Sequence, residues 1–188
     1  GAGNDTLVGR SSQANPDYDL MDGGAGDDTY FVDTGADLTF EAIGGGTDTV
    51  HADIPVANAG VYLWANVENL FLDGTTAFGV GNELANNIIG SNSANLLLGG
   101  AGNDLIEGRG GNDVLFGEAG ADTFVFYGPT GQDVIGDFNL AEDVIERLFA
   151  QEAATTGYRL GVDLEALQVR TPGGEVFGFD IDPDRRHR

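Results

Sequence analysis

Asp104, Asp113 and Asp122 stand nine residues apart within GGAGNDLIEGRGGNDVLFGEAGADTF (99–124), each behind a glycine-rich turn and ahead of a short apolar segment. Carboxylates at a fixed interval can work as acid–base pairs or as ligands for a hard cation, and geometry decides between them. An interval of nine follows neither the helical period of about 3.6 nor the strand period of about 2. Some other element must set it.

The pattern extends well beyond this stretch. From Gly81 five units run without a gap: GNELANNII, GSNSANLLL, GGAGNDLIE, GRGGNDVLF and GEAGADTFV. Each begins with glycine. The sixth residues are Asn86, Asn95, Asp104, Asp113 and Asp122, and the eighth are Ile88, Leu97, Ile106, Leu115 and Phe124. A second array opens the chain, with Asp5, Asp19 and Asp28 in sixth place and Leu7, Met21 and Tyr30 in eighth. Between the arrays Asp48 precedes Val50, and Asn69 precedes Phe71, in the same relation. The steps from 28 to 48, 69 and 86 are 20, 21 and 17 residues, each close to two units. The chain thus divides into a first array at 1–31 and a looser stretch at 32–80, read as degenerate coils or as a β-rich connector. A main array at 81–125 and a C-terminal capping region at 126–188 follow.

Six residues of Gly, Asx and small side chains are turn chemistry, and three with an apolar centre make a short strand. Strand plus turn reverses the chain, so two units complete one coil of a flattened spiral. Unit n+2 then stacks on unit n at about 4.8 Å, and eighth-position side chains of both faces meet inside. The expected fold is all-β, a right-handed parallel β-roll with a C-terminal β cap. Asp104 and Asp122 then share one edge, while Asn95 and Asp113 share the other. Carboxylates stacked about 5 Å apart repel by several kcal/mol at an effective dielectric of about 20. A cation between turns removes that cost. Carboxylates and turn carbonyls with no nitrogen or sulfur make a Ca²⁺ cage, whereas Mg²⁺ demands a tight octahedron and keeps its waters. Asn86 and Asn95 each remove one charge, so weaker or empty sites are expected there.

The unit GGAGNDLIE and its neighbours resemble the RTX, or hemolysin-type, calcium-binding nonapeptide repeat, over about residues 1–31 and 81–125. The resemblance implies several Ca²⁺ ions held by Asp5, Asp19, Asp28, Asp48, Asp104, Asp113, Asp122 and Asp133, with Asn95 beside them. It also implies ligands from the turns at Gly24, Gly26, Gly99, Ala101, Gly102, Gly108, Gly110, Gly111, Gly117, Ala119 and Gly120. GQDVIGDFNLAEDVIERLF (131–149) looks like the element that follows the last coil in such proteins, with Asp133, Asp137 and Asp143 at its acidic positions. Glu146-Arg147 departs from that element, which favours capping over ligation. A larger secreted bacterial parent and a type I secretion machinery are the implied partners.

Composition agrees. The chain has 31 Asp plus Glu against eight Arg and no Lys, for a net charge of −23. Nucleic acid and anionic membranes, which need a basic face, are excluded as partners. At 41% hydrophobic residues the chain is no disordered acidic tail. It has no cysteine, no apolar run long enough for a membrane span and no signal peptide; its opening GAGNDTLVG reads as the middle of a longer protein. Catalysis finds little support: two His, four Ser and no H-E-x-x-H or G-x-S-x-G. The alternative to a non-catalytic Ca²⁺ module is an accessory domain that binds polysaccharide or a surface through Arg109, Trp64 or Tyr62, although strand aromatics are more often core. LEALQVRTPGGEVFGFDI (164–181) reads as a hairpin about Pro-Gly-Gly, and Asp180, Asp182 and Asp184 as a terminal acidic tail.

Overall fold

The fourth-place glycines Gly26, Gly102, Gly111 and Gly120 explain why the turns can stack so closely. Gly120 has φ +143°, and a Cβ there would lie 1.5 Å from the carbonyl oxygen of Gly102, one coil away. Only glycine lets successive turns approach so closely. In the computed structural model, which describes residues 1–10, 18–126, 131–136, 158–163 and 168–178, these turns join short strands on two faces.

One face holds β1 (Thr6–Val8), β3 (Thr29–Val32), β5 (Thr49–Ala52), β7 (Asn69–Leu72), β9 (Asn87–Ile89), β11 (Leu105–Glu107) and β13 (Ala121–Phe126), each parallel to the next. The other holds β2 (Leu20–Gly24) paired with β4 (Leu38–Glu41). Beside them lies a separate sheet of β6 (Gly60–Tyr62), β8 (Phe78–Val80), β10 (Leu96–Ala101), β12 (Val114–Ala119) and β14 (Val134–Ile135). The chain alternates between faces, as a solenoid of half-coils must. Strands β5 and β7 carry the same ladder between β3 and β9, so the parallel stack runs through the looser stretch. The described residues contain no helix, and no helix is long and apolar enough to cross a membrane.

The core is built on eighth-position side chains from both faces, joined in the looser stretch by residues such as Val32, Ala52, Ile54, Val67 and Leu72. Tyr30, Ile88, Leu97, Ile106, Leu115 and Phe124 are fully buried, and Ile88, Ile106 and Phe124 lie in register across β9, β11 and β13. Where β8 offers Gly79 in place of a core side chain, Leu70 and Leu72 from the opposite face fill the space. One expectation needs correcting. The register pairs Thr49 with Asn69, which puts Glu68, not Asn69, in sixth place and Leu70, not Phe71, in eighth. A slip of one residue exchanges the faces of a strand, and in VENLFL either Leu70 or Phe71 satisfies an apolar pattern. Leu70 is buried, while Phe71 lies outside and stacks on His51 at 4.9 Å.

After β13 the first sheet continues antiparallel through β15 (Tyr158–Asp163), β16 (Gln168–Arg170) and β17 (Val176–Gly178). Strands β16 and β17 form the hairpin expected about Pro-Gly-Gly, closed by Gly174 N–H donating to the Thr171 carbonyl at 2.9 Å. The remainder of the proposed capping element, with Asp137, Phe138, Asp143 and Glu146-Arg147, and the acidic tail lie outside the described residues. Tyr62 and Trp64 are on the outer surface, 63% and 44% exposed, so the core expectation fails for them.

The register makes a direct prediction. Leu70→Ala removes a buried side chain and should cost about 2–5 kcal/mol, whereas Phe71→Ala should cost only about 1 kcal/mol. Chemical denaturation of both variants measures the difference, and equal costs would contradict the register.

Candidate metal centre

Two hydrogen-bond ladders fix the carboxylates, and they run in opposite directions. Along the edge that leads into the first face, each sixth-position carboxylate from Asp28 onward accepts the backbone N–H of its counterpart one coil earlier. Asp5 N–H donates to Asp28 Oδ1 at 2.6 Å, Asp28 to Asp48 Oδ1 at 2.8 Å, and Asp48 to Glu68 Oε2 at 2.8 Å. Asn86 then donates to Asp104 Oδ1 at 2.8 Å, and Asp104 to Asp122 Oδ1 at 2.9 Å. The opposite edge repeats the rule: Asp19 to Asp37, Asn95 to Asp113 and Asp113 to Asp133. The fifth-position Asx side chain does the reverse. Asn4, Asp27, Asn103 and Asn112 accept N–H groups from one coil later, each at 2.9 Å. The Asn-Asp pair of the repeat therefore binds its coil to both neighbours.

The ladder uses one carboxylate oxygen. The other, Oδ2 of Asp28, Asp48, Asp104 and Asp113, is buried with no hydrogen-bond partner. It leans over the first residue of its own unit: a Cβ on Gly99 would lie 2.3 Å from Asp104 Oδ2, and one on Gly108 would lie 2.2 Å from Asp113 Oδ2. Glycine opens the units of Asp28, Asp104, Asp113 and Asp122 because the carboxylate fills that volume. A bare buried carboxylate oxygen is costly unless a cation meets it. Burial accordingly pushes Asp104 up to about 7, with the Asp122 charge adding to the rise, and Asp48 and Asp113 up to about 6. Hard oxygens alone, with turn carbonyls beside them, fit Ca²⁺.

Not every expected position looks alike. Asn95 Oδ1 accepts Ser91 N–H at 2.7 Å and its amide donates to the Thr76 carbonyl at 2.9 Å; Asn86 behaves in the same way with Asn82 and Val67. An amide supplies donor and acceptor together, so these turns close on protein partners. Asp19 Oδ2 accepts Arg10 N–H, and Asp37 Oδ2 accepts from Asp33 and Thr34. Asp5 is half exposed. On the edge of Asp19 and Asp37 the ladder position before β6 and β8 falls to Ala59 and Ala77, which interrupts the column. Among the turn residues, Gly24, Gly26, Gly102, Gly111 and Gly120 carry positive φ, as does Arg109, while the Ala119 carbonyl already accepts Gly102 N–H at 2.9 Å. Gly110 N–H donates to the Ser91 carbonyl, and the Gly117 carbonyl faces Gly99. Ala101 lies in β10, in register with Ala119 in β12.

Sequence reasoning missed Asp37, Glu41 and Glu68. Asp37 follows Asp19 by 18 residues and Glu68 precedes Asn86 by 18, two units in each case, so the period itself was the signal that could have found both. Glu41 lies outside the sixth position altogether.

A family model for the RTX calcium-binding nonapeptide repeat matches residues 13–38 and 80–124, in four copies. A second family model, LeuD_N, matches residues 146–183, which take in much of the region expected to cap the array. Among curated proteins, the 3-isopropylmalate dehydratase small subunit of Marinobacter nauticus is 44% identical over 63 residues, or 34% of this chain. That segment spans 29% of the length of the curated relative. No solved structure matches the chain.

The bare carboxylates set a pH dependence for the metal-free chain. Asp48, Asp104 and Asp113 bind protons more tightly folded than unfolded, so folding is favoured below about pH 4, where both states are protonated. That contribution is lost as pH rises through about 6 to 7. With a chelator present, the melting temperature should fall between pH 4 and pH 7; a rise across that window would contradict the assignment.

Proposed function

We propose, from the premise that this chain is an RTX β-roll module, that it binds several Ca²⁺ ions along its coil edges and folds when they bind. The observation that carries this reading is the column of buried carboxylates: Asp28, Asp48, Asp104 and Asp113 each hold one oxygen in the backbone ladder and leave the other without a hydrogen-bond partner. The ligands are Asp28, Asp48, Asp104, Asp113 and Asp122, with turn carbonyls such as those of Gly99, Gly108 and Gly117. Asp133 extends the Asp113 edge. Asn86 and Asn95 mark where that chemistry stops.

The physical role is a folding switch. Without Ca²⁺ a net charge of −23 keeps the chain expanded and fit for threading through a type I secretion channel. Outside the bacterium, Ca²⁺ near the dissociation constants of extracellular modules, about 10⁻⁴–10⁻³ M, neutralises the columns and closes the roll. The module is non-catalytic and belongs to a larger secreted parent, while β15–β17 cover its last coil. The LeuD_N match and the dehydratase relative concern a limited segment and assign no dehydratase chemistry to the carboxylate columns.

A second reading has its own observation. Tyr62 and Trp64 are exposed, and Tyr62 packs edge-on against Phe78 while Trp64 lies 5.9 Å from Phe40. Such a surface suits a polysaccharide ring. Retention on polysaccharide gels that disappears in Tyr62→Ala and Trp64→Ala variants would support that reading, and no retention would remove it.

Far-UV circular dichroism tests the principal reading. In EGTA the chain should lack most of its β signal, and millimolar Ca²⁺ should restore it. A full β spectrum in EGTA at neutral pH would refute the switch.

A further inference from the structure

The densest group of carboxylates is not in the main array. It lies at the third coil, where Glu41, the last residue of β4, is in register with Gly24 of β2. Glu41 thus occupies a place where the repeat has glycine. One carboxylate oxygen each from Glu41, Asp28 and Asp48 lies within 4.8 Å of the other two. Asp28 is 1% exposed and Asp48 is fully buried.

Every carboxylate in the group has one oxygen pinned and one bare. Asp28 Oδ1 accepts Asp5 N–H, Asp48 Oδ1 accepts Asp28 N–H, and Glu41 Oε1 accepts the Tyr30 hydroxyl. Asp28 Oδ2, Asp48 Oδ2 and Glu41 Oε2 are buried without hydrogen-bond partners. Tyr30 is itself held: its ring is in the core, and its hydroxyl accepts Gly23 N–H at 2.9 Å. The Glu41 backbone is tied as well, since Asn66 Nδ2 donates to its carbonyl at 3.0 Å. A cradle completes the group. The point where a Cβ on Gly45 would sit is 2.8 Å from the Gly24 carbonyl oxygen, 2.9 Å from Glu41 Oε2 and 3.1 Å from the Ala42 carbonyl oxygen.

From this convergence we infer that Asp28, Glu41 and Asp48 form a three-carboxylate Ca²⁺ site, completed by the carbonyls of Gly24 and Ala42, that fills before the repeat sites and nucleates the roll. The inference rests on the Ca²⁺ reading above and adds a ligand from outside the repeat. Ca²⁺ affinity rises with ligand charge and with the rigidity of the site. Glu118 lies near Asp104 and Asp122 but is exposed; among the described residues it is Asp28, Glu41 and Asp48 whose carboxylate oxygens converge within 4.8 Å, with Glu41 pre-oriented by Tyr30. In a stack where each coil contacts only its neighbours, the first coil to order seeds the others. Tyr30 acts as a positioning residue, since its hydroxyl is engaged with Glu41 and not with the ion.

The full chain carries its own reporters. Trp64, the single tryptophan, packs against Phe40 beside Glu41, and Tyr30 can sensitise Tb³⁺ bound in the same site. Chelator-treated chain is titrated with Ca²⁺, following Trp64 emission and far-UV circular dichroism, and separately with Tb³⁺, following sensitised luminescence. The Trp64 and Tb³⁺ changes should come at lower cation concentration than completion of the β signal. Glu41→Gln, which keeps shape and an acceptor for Tyr30, should weaken that early step by about tenfold or more. Tyr30→Phe should weaken it by about 2- to 10-fold through loss of one hydrogen bond. Asp104→Asn should shift the later step and leave the early one in place. An early step unchanged in both Glu41→Gln and Tyr30→Phe would overturn this site alone. No Ca²⁺ response from the unsubstituted chain would overturn both the site and the reading beneath it.

Discussion

The whole molecule depends on how a sixth-position carboxylate divides its two oxygens. One accepts a backbone N–H from the coil before and so sets the spacing and register of the stack. At Asp28, Asp104 and Asp113 the other is left bare in a buried turn, pressed against the glycine that opens its own unit. These two facts are inseparable, because the ladder that builds the solenoid also buries the charge that opposes it. A divalent cation resolves the conflict by binding where the ladder leaves an oxygen free. Stability and ligand binding are then one equilibrium rather than two.

The residue before the carboxylate makes the arrangement directional. Its Asx side chain takes an N–H from the coil after, so each turn is tied both ways while the sixth position remains available for a cation. Replacing Asp by Asn changes the character of a turn without changing its shape. Asn86 and Asn95 close on neighbouring backbone groups through an amide that both donates and accepts. The edges therefore differ along their length. The first-face edge is charged from Asp5 to Glu68 and again at Asp104 and Asp122, whereas the second is interrupted at Ala59 and Ala77.

The looser middle keeps the stack by other means. Its coils are two residues longer, yet β5 and β7 stay in parallel register because the surplus is taken up in the turns. Leu70 and Leu72 fill the gap that Gly79 leaves, and Phe31, His51 and Phe71 stack along the outside at about the spacing of successive strands. Beyond β13 the sheet turns antiparallel, in a region where sequence similarity changes from the repeat to LeuD_N.

A strict nine-residue period was sufficient to determine the parallel two-faced stack, the inward column from Ile88 to Phe124 and the acidic edges, because turn glycines and a single apolar place per strand leave one way to fold. Where that period broke, periodicity no longer fixed the register. Asn69 and Phe71 satisfied the apolar pattern as well as Glu68 and Leu70, and pairing with β5 and β9 selected the latter. Glu41 was invisible for a different reason: it stands outside the sixth-position motif that marks Asp28 and Asp48. Tertiary stacking alone brings its carboxylate to theirs. Local sequence determined which atoms could bind a cation; the long-range register decided which of them meet.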